Sequence, residues 1–466
     1  MLRKSIHSIA FALFWLVPCS VRAQPKPVQW TSEQIQAILK KQIETDKQGV
    51  GIVVGFVNAK GNQLVSYGSL RKGEPSNKPD GNTVFEIGSA SKVFTSLLLA
   101  DMVNRGEVAL EDPASKYLPK TVTMPTRKGR EITLLDLATH TSALPRMPDN
   151  LEPADAQNPY ADYTIESMYK FLSKCKLTSD IGSKYEYSNL GTGLLGHVLA
   201  LSAGSDFETL LSTRITKPMK MDSTSIAFSP DMLKRLATGH DETLSEVKNW
   251  DIPTLAGAGA IRSTAKDMLL FLEANIDKTK SPLADAMRMQ QITRRPAGSP
   301  NMSMALGWHK LTNNYSEVIW HNGQTGGYHS FIGFDKKREV GVVVLANTAT
   351  DIDDIGLHLL DTRNSLKSIT PKKEPVSVEV DSKILVSYVG DYELAPTFVI
   401  SITKEKDRLM LQATKQPKFE IFAESEEKFF LKVVDAQVTF VKDNKGSVTQ
   451  LILHQNGLNQ PAKKRK

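Results

Sequence analysis

A serine hydroxyl and a lysine amine stand one helical turn apart at Ser89 and Lys92, in the run Phe85-Glu86-Ile87-Gly88-Ser89-Ala90-Ser91-Lys92. Together they are the minimum equipment of a serine acyltransferase that works without a histidine base, because the hydroxyl is a weak nucleophile at neutral pH and the amine can take its proton. For lysine to serve as a neutral base its pKa must fall from ~10.4 toward ~7, a cost on the order of 4 to 5 kcal/mol. Burial and a neighbouring cation or phenol would supply that shift. Spacing alone does not single out the pair, since Ser-x-x-Lys recurs at Ser245 and Lys248, Ser263 and Lys266, and Ser401 and Lys404. Context does: Gly88 permits a tight entry into a helix, whose positive end favours negative charge at Ser89, with Lys92 on the same face.

Two later groups share this chemistry, Tyr187-Ser188-Asn189 and His321-Asn322-Gly323-Gln324. In this order, and with the runs Leu137-Ala138-Thr139-His140-Thr141-Ser142-Ala143-Leu144-Pro145, Gly259 to Met268 and Ala305-Leu306-Gly307-Trp308, the chain resembles the serine β-lactamase and penicillin-binding protein superfamily. The likeness is to its class C-like branch of D-alanyl-D-alanine carboxypeptidases, D-aminopeptidases and esterases, and it covers about residues 30–365. It implies Ser89 as the acylated nucleophile, Lys92 as its proton partner and Tyr187 as the phenol that relays protons to the leaving group. It further implies that Asn189 positions the substrate amide and Lys92, and that His321 and Gly323 lie on the strand edge facing the ligand. The backbone N–H groups of Ser89 and Gln324 would form the oxyanion hole. Whether Lys92 or Tyr187 is the base stays open at this point, and the two can titrate as a coupled pair.

The second group has the tyrosine form, and the third has histidine where the parent pattern has lysine. Lysine would be a permanent cation for a substrate carboxylate, whereas His321 is mostly neutral near pH 7, so carboxylate recognition should be weaker or pH dependent. This ranks a serine hydrolase of D-amino-acid peptides (D-alanyl-D-alanine carboxypeptidase/endopeptidase-like), related amides or small esters above a β-lactamase. The alternative of another class is a non-hydrolytic penicillin-binding or sensor protein that acylates once or never. A transient adduct with a penicillin or fluorophosphonate separates the enzyme from that alternative. His140 reads as structural. Gly323, Gly326 and Gly327 fit a tight strand connection better than a phosphate cradle. No histidine and cysteine spacing suggests zinc, His321 and His329 standing alone, and no cofactor is implied.

The elements that must hold these groups follow from periodicity. Thr31 and Gln34 form a capping-box pattern ahead of a helix with Ile35, Ile38 and Leu39 on its apolar stripe. Val50 to Val57 and Gln63 to Leu70 read as a hairpin, and Ser89 to about Arg105 as a helix with Val93, Leu97 and Met102 inward, stopped at Gly106. Residues 133–275 are mostly helix and loop. Strand signals return at Glu317 to His321, Tyr328 to Phe334 and Val340 to Leu345, and a helix from Ile355 to about Asn364 closes the unit. The expected fold is α+β, a β-lactamase/transpeptidase-like antiparallel sheet of two early and three late strands with an inserted helical region.

Beyond it, residues 368–376 have linker composition, and residues 377–460 alternate as a small all-β barrel or sandwich. The expected strands are Phe398 to Ile402, Leu409 to Leu411, Lys428 to Leu431, Val438 to Val441 and Leu451 to Leu453. This part resembles the lipocalin-like β modules found after similar catalytic units. Its functional alternatives are a lid, an oligomerisation piece or a passive appendage.

At 466 residues with 40% hydrophobic content the chain can fill two or more cores. Arg3 and Lys4, the apolar run Ile9 to Val17 and Val21-Arg22-Ala23 read as a signal peptide over 1–23, leaving a hydrolase domain at 24–367 in the periplasm or secreted. That run is shorter than the ~20 residues a bilayer span needs, so no stable membrane span is expected after cleavage. Cys175 is then the only cysteine, which rules out an intrachain disulfide. The formal charge of +7 loses Arg3, Lys4 and Arg22 with the signal, and the tail Lys463-Lys464-Arg465-Lys466 accounts for the remainder. No basic face is left for nucleic acid, residues 461–466 are expected as a solvated basic tail, and the partner is a small molecule or peptide.

Overall fold

The computed structural model describes residues 29–367 of the hydrolase unit. In the C-terminal unit it describes residues 377–395, 398–414, 416, 418–431, 436–455 and 458–465. The signal peptide and the linker 368–376 lie outside the described residues. The chain divides into two compact units at Ser368 and Ile369. No helix among the described residues is long and apolar enough to cross a membrane.

The first unit opens with helix α1 (Ser32–Lys40), where Thr31 and Gln34 make both bonds of the capping box and Ile35 and Leu39 are buried. Strands β1 (Gly51–Asn58) and β2 (Gly61–Gly68) form the expected hairpin. A short ribbon, β3 (Val84–Glu86) with β4 (Arg262–Thr264), stands apart from the main sheet. The remaining strands are β5 (Arg295–Ala297), β6 (Ser299–Met304), β7 (His309–Thr312), β8 (Glu317–Gln324), β9 (His329–Asp335) and β10 (Val340–Ala346). The sheet has eight antiparallel strands in the order β2-β1-β10-β9-β8-β7-β6-β5. Five of these were expected, and β5 to β7 extend the sheet at its far edge.

β1 is buried along its whole length, so alternate side chains feed two different cores. Ile52, Val54 and Phe56 pack with α1 and the helix Asp353–Leu360, while Val53 and Val57 pack toward the helical region. Helix α2 (Ser91–Asn104) runs through that larger core with Ser91 to Met102 all buried. It ends in a Schellman pattern: Gly106 at φ 71° donates to Val103 O, and Glu107 donates to Met102 O. Helices α3 (Leu134–Ala138), α4 (Ile165–Lys174) and α5 (Asn189–Ser202) belong to the inserted region, as the α+β expectation has it.

The second unit is a closed eight-stranded antiparallel barrel. Its strands are β11 (Gly390–Ala395), β12 (Phe398–Glu405), β13 (Arg408–Ala413), β14 (Lys418–Ala423), β15 (Lys428–Leu431), β16 (Ala436–Lys442), β17 (Val448–Gln455) and β18 (Leu458–Lys464). Tyr388, Tyr392, Phe429 and Phe440 fill the interior, with Tyr388 stacked on Phe440 at 4.1 Å between centroids. The basic tail expected at 461–466 is instead largely the strand that closes the barrel. β18 pairs with both β17 and β11, Lys464 Nζ donates to Ser387 O at 2.9 Å, and Arg465 bridges Glu393 at 2.9 Å. Barrel closure satisfies the backbone of β11 and β17, and this outweighs the solvation of the charges.

Candidate active site

Ser89 lies in a tight 3₁₀ turn, Gly88–Ala90, between β3 and α2. Two distant groups clamp the turn: Ile87 N donates to the carbonyl of Ile261, just before β4, at 3.0 Å, and Ser330 Oγ of β9 donates to Ile87 O at 2.7 Å. Gly88 has φ 48°, and a Cβ there would sit 2.7 Å from Gln324 N. A Cβ on Gly323 would lie 2.0 Å from Ile87 O and 2.8 Å from Ser89 N. The two amides proposed as oxyanion donors thus border one crevice, and Gly323 serves it by having no side chain.

Replacing Gly323 with alanine should therefore push β8 off the Ser89 turn. The overpacking costs about 1–3 kcal/mol. Displacement of the amides lowers kcat/KM by about 10²-fold. A thermal melt and ester kinetics on the purified variant read the two effects separately.

Lys92 is fully buried, and its Nζ donates to Ser89 Oγ at 2.8 Å and to Ala258 O at 2.7 Å. Burial, reinforced by the positive charge of Arg146, holds its pKa well below the ordinary lysine value. In the three other Ser-x-x-Lys pairs named above, the two side chains do not meet. Lys248 bridges Asp155, Ser263 bonds Thr224 while Lys266 is exposed, and Ser401 bonds Asp391.

Tyr187 directly precedes α5, whose N-cap Ser188 accepts from Gly191 N and donates to Pro145 O. Burial raises the pKa of its phenol, and the neighbouring Ser89 hydroxyl offsets the shift only in part. Lys92 Nζ lies 4.9 Å from the ring centroid, and the Arg146 guanidinium 5.0 Å. His140, with φ 55°, accepts from Ser188 N at 3.2 Å and packs 4.4 Å from the Tyr187 ring, as a structural histidine would.

Two expectations change. Asn189 makes no hydrogen bond to Lys92: its Nδ2 lies 3.5 Å from Met147 Sδ, its Oδ1 is buried without a partner, and Ala258 O holds the amine instead. His321 is not on a ligand-facing edge but enclosed, with its ring 6.4 Å from Tyr187 and 5.0 Å from His309. Burial, then the nearby His309 and Lys92, holds its pKa well below the usual imidazole range. His309 is likewise pulled down to about 4, mainly by burial. His321 is therefore neutral across the physiological range, since its side chain is fully buried in the middle of the sheet.

His329 is not alone either. Its Nε2 lies 3.1 Å from Asp353 Oδ1 and 3.9 Å from Asp351 Oδ1, a grouping able to ligate a cation. Lys367 already bridges Asp351 at 2.5 Å and Asn322 donates to Asp353 at 2.6 Å, so the charges are met by protein groups. Sequence reasoning missed Arg146, one residue past the Leu144-Pro145 run, and the Ala258 carbonyl. A lone arginine in a loop has no spacing signal, and a carbonyl has no side-chain signal at all. Tyr160 and Trp250, in T-shaped contact at 5.2 Å, form an apolar wall of the crevice beside Ser89.

Comparison with known proteins places this geometry. The Beta-lactamase family profile matches residues 36–360, and a profile described as a domain of unknown function, DUF3471, matches 374–464. The D-alanyl-D-alanine-carboxypeptidase/endopeptidase AmpH of Escherichia coli (strain K12) is 32% identical over 340 residues, 68% of this chain and 85% of that protein. A beta-lactamase of the same organism is 26% identical over 72% of this chain and 93% of its own length. Among solved structures, the Yersinia pestis beta-lactamase/D-alanine carboxypeptidase superposes with TM-score 0.63 at 24% identity, over 72% of this chain and 97% of that one. A penicillin-binding protein homologue from Pyrococcus abyssi gives TM-score 0.63 at 19% identity over 93% of this chain and 100% of that one. At those identities the two superpositions speak for the fold alone. With a profile match across most of its length and a relative at 32% identity, the chain belongs to the β-lactamase family of serine hydrolases.

Proposed function

We propose that the protein cleaves D-amino-acid-containing peptides, in the manner of a D-alanyl-D-alanine carboxypeptidase/endopeptidase, and related amides or small esters, through an acyl-enzyme on Ser89. The observation that carries this reading is the 2.8 Å contact between Ser89 Oγ and a lysine amine whose pKa burial holds well below the ordinary value. Lys92 accepts the hydroxyl proton as Ser89 Oγ attacks the carbonyl carbon, and the N–H groups of Ser89 and Gln324 take up the oxyanion. Tyr187, held in its phenol form by burial, returns a proton to the departing amine as the C–N bond breaks. Of the two groups, Lys92 is thus the base and Tyr187 the acid. Water then hydrolyses the ester: Tyr187 recovers its proton from the attacking water, and Lys92 returns its own to Ser89 Oγ as the ester C–O bond breaks, which frees the acyl product and Ser89.

The activity for which the 32% identical relative is named and the neutral His321 in place of a lysine both favour a peptidase over a β-lactamase. We infer a site of action in the periplasm or outside the cell, a reading that the signal-like run of residues 1–23 supports. Incubation with D-alanyl-D-alanine peptides, D-amino-acid amides, p-nitrophenyl esters and a cephalosporin, followed by intact mass and product analysis, tests the reading. A transient adduct with release of D-alanine is expected. A stable adduct without turnover would establish a non-hydrolytic penicillin binder instead.

A further inference from the structure

A cavity of about 720 Å³ opens beside Tyr187, between the loop 143–150 and α4, and its walls are unevenly charged. Arg146, Lys170, Lys174 and Lys176 line it, and among the described residues none of them has a carboxylate partner or a side-chain hydrogen bond. Of the two acids on the wall, Glu186 is taken up by Lys184 at 2.9 Å, which leaves Asp149 against four cations. Its volume suits a ligand of several residues rather than a water cluster.

Arg146 joins this cavity to the catalytic groups. Its guanidinium is held over the Tyr187 ring at 5.0 Å, and its backbone carbonyl accepts from Asn189 N at 3.0 Å. The stacking restrains the side chain while its N–H donors stay free, an arrangement already ordered for a bidentate carboxylate. Position 321, where the parent pattern has a cation, is a buried neutral imidazole here and offers a carboxylate no charge.

We propose that this cavity is a subsite for an acidic part of the substrate, in which Arg146 receives a substrate carboxylate and the three lysines attract the chain that carries it. The inference rests on the hydrolase reading for the word substrate, and on the cavity and its unpaired cations for the binding. It predicts a preference for anionic peptides that the buried histidines do not supply.

Two peptide pairs test it. In the first a D-alanyl-D-alanine peptide carries either a free C-terminal carboxylate or its amide. In the second the acyl side carries either glutamate or glutamine. The ratio of kcat/KM within each pair is compared between wild type, Arg146→Gln and Lys174→Glu, and the ratio cancels any general effect on Tyr187. A fall of about tenfold or more in at least one ratio is expected, the worth of one charge-assisted hydrogen-bonded pair. Ratios unchanged within about twofold in both pairs, for both variants, overturn the subsite.

Calorimetric titration of the same peptides into the Ser89→Ala protein, with and without Arg146→Gln, reads binding apart from turnover. A carboxylate preference that disappears with Arg146 upholds the subsite even if wild type cleaves none of the peptides. Equal affinities within each pair overturn it even if wild type cleaves them all.

Discussion

Ser89→Ala is expected to remove acyl-enzyme formation and to lower turnover of esters and peptides on the order of 10⁴-fold or more. Among the described residues the Lys92 Nζ has two hydrogen-bond partners, Ser89 Oγ and Ala258 O, and Ser89 is the one with a hydroxyl. The variant keeps the Ala258 contact, so Lys92 retains a partner and the melting temperature should stay close to wild type. Ser245→Ala, an exposed serine whose lysine bridges Asp155, is the matched control and should turn over normally. Turnover by Ser89→Ala equal to wild type would place the chemistry elsewhere and sink the mechanism.

The second large effect belongs to Lys92. Lys92→Met removes the proton acceptor and should slow acylation by about 10²–10⁴-fold. Lys92→Arg should be as poor, because a guanidinium does not deprotonate in proteins. The pH dependence has a definite sign. Below its depressed pKa Lys92 is an ammonium and cannot take the Ser89 proton; above it the amine is free. The acylation rate of wild type should rise as pH climbs through that value. It should then stay level into alkaline solution, because burial delays ionisation of Tyr187 beyond its ordinary range. Rates of Ser89 modification by a fluorophosphonate across pH check this, and a rate that falls as pH rises toward neutrality contradicts the assignment of Lys92 as base.

The nucleophile was legible because Gly88, Ser89 and Lys92 are local: one tight turn and one helical repeat bring them together. The paired early and late strands were legible for a similar reason, since β1 and β10 are continuous apolar runs whose burial on both faces leaves few alternatives. β6, Ser-Pro-Asn-Met-Ser-Met, is short, opens with Ser-Pro and has no β-branched or aromatic residue, and its pairing comes from β5 and β7 on either side. The last barrel strand contains Pro461 opposite Ile452 and two lysines, so propensity opposed what closure of the barrel required. His321 was read correctly by type and wrongly by environment: its enclosure by His309, Tyr187 and the neighbouring strands is a tertiary fact. The same holds for Arg146, whose importance comes from what it fails to pair with.

The turn that carries Ser89 is clamped by groups far away in the chain. Ser330 reaches Ile87 across 243 residues, and Lys92 reaches Ala258 across 166. Such contacts form late in folding, after long loops have closed. A partly folded chain should therefore present Ser89 without a buried amine against its hydroxyl and without its oxyanion donors, and is expected to be inert. Reactivity toward an acylating probe thus counts completed domains one by one, so labelling of Ser89 during refolding is a clock for the last step of assembly.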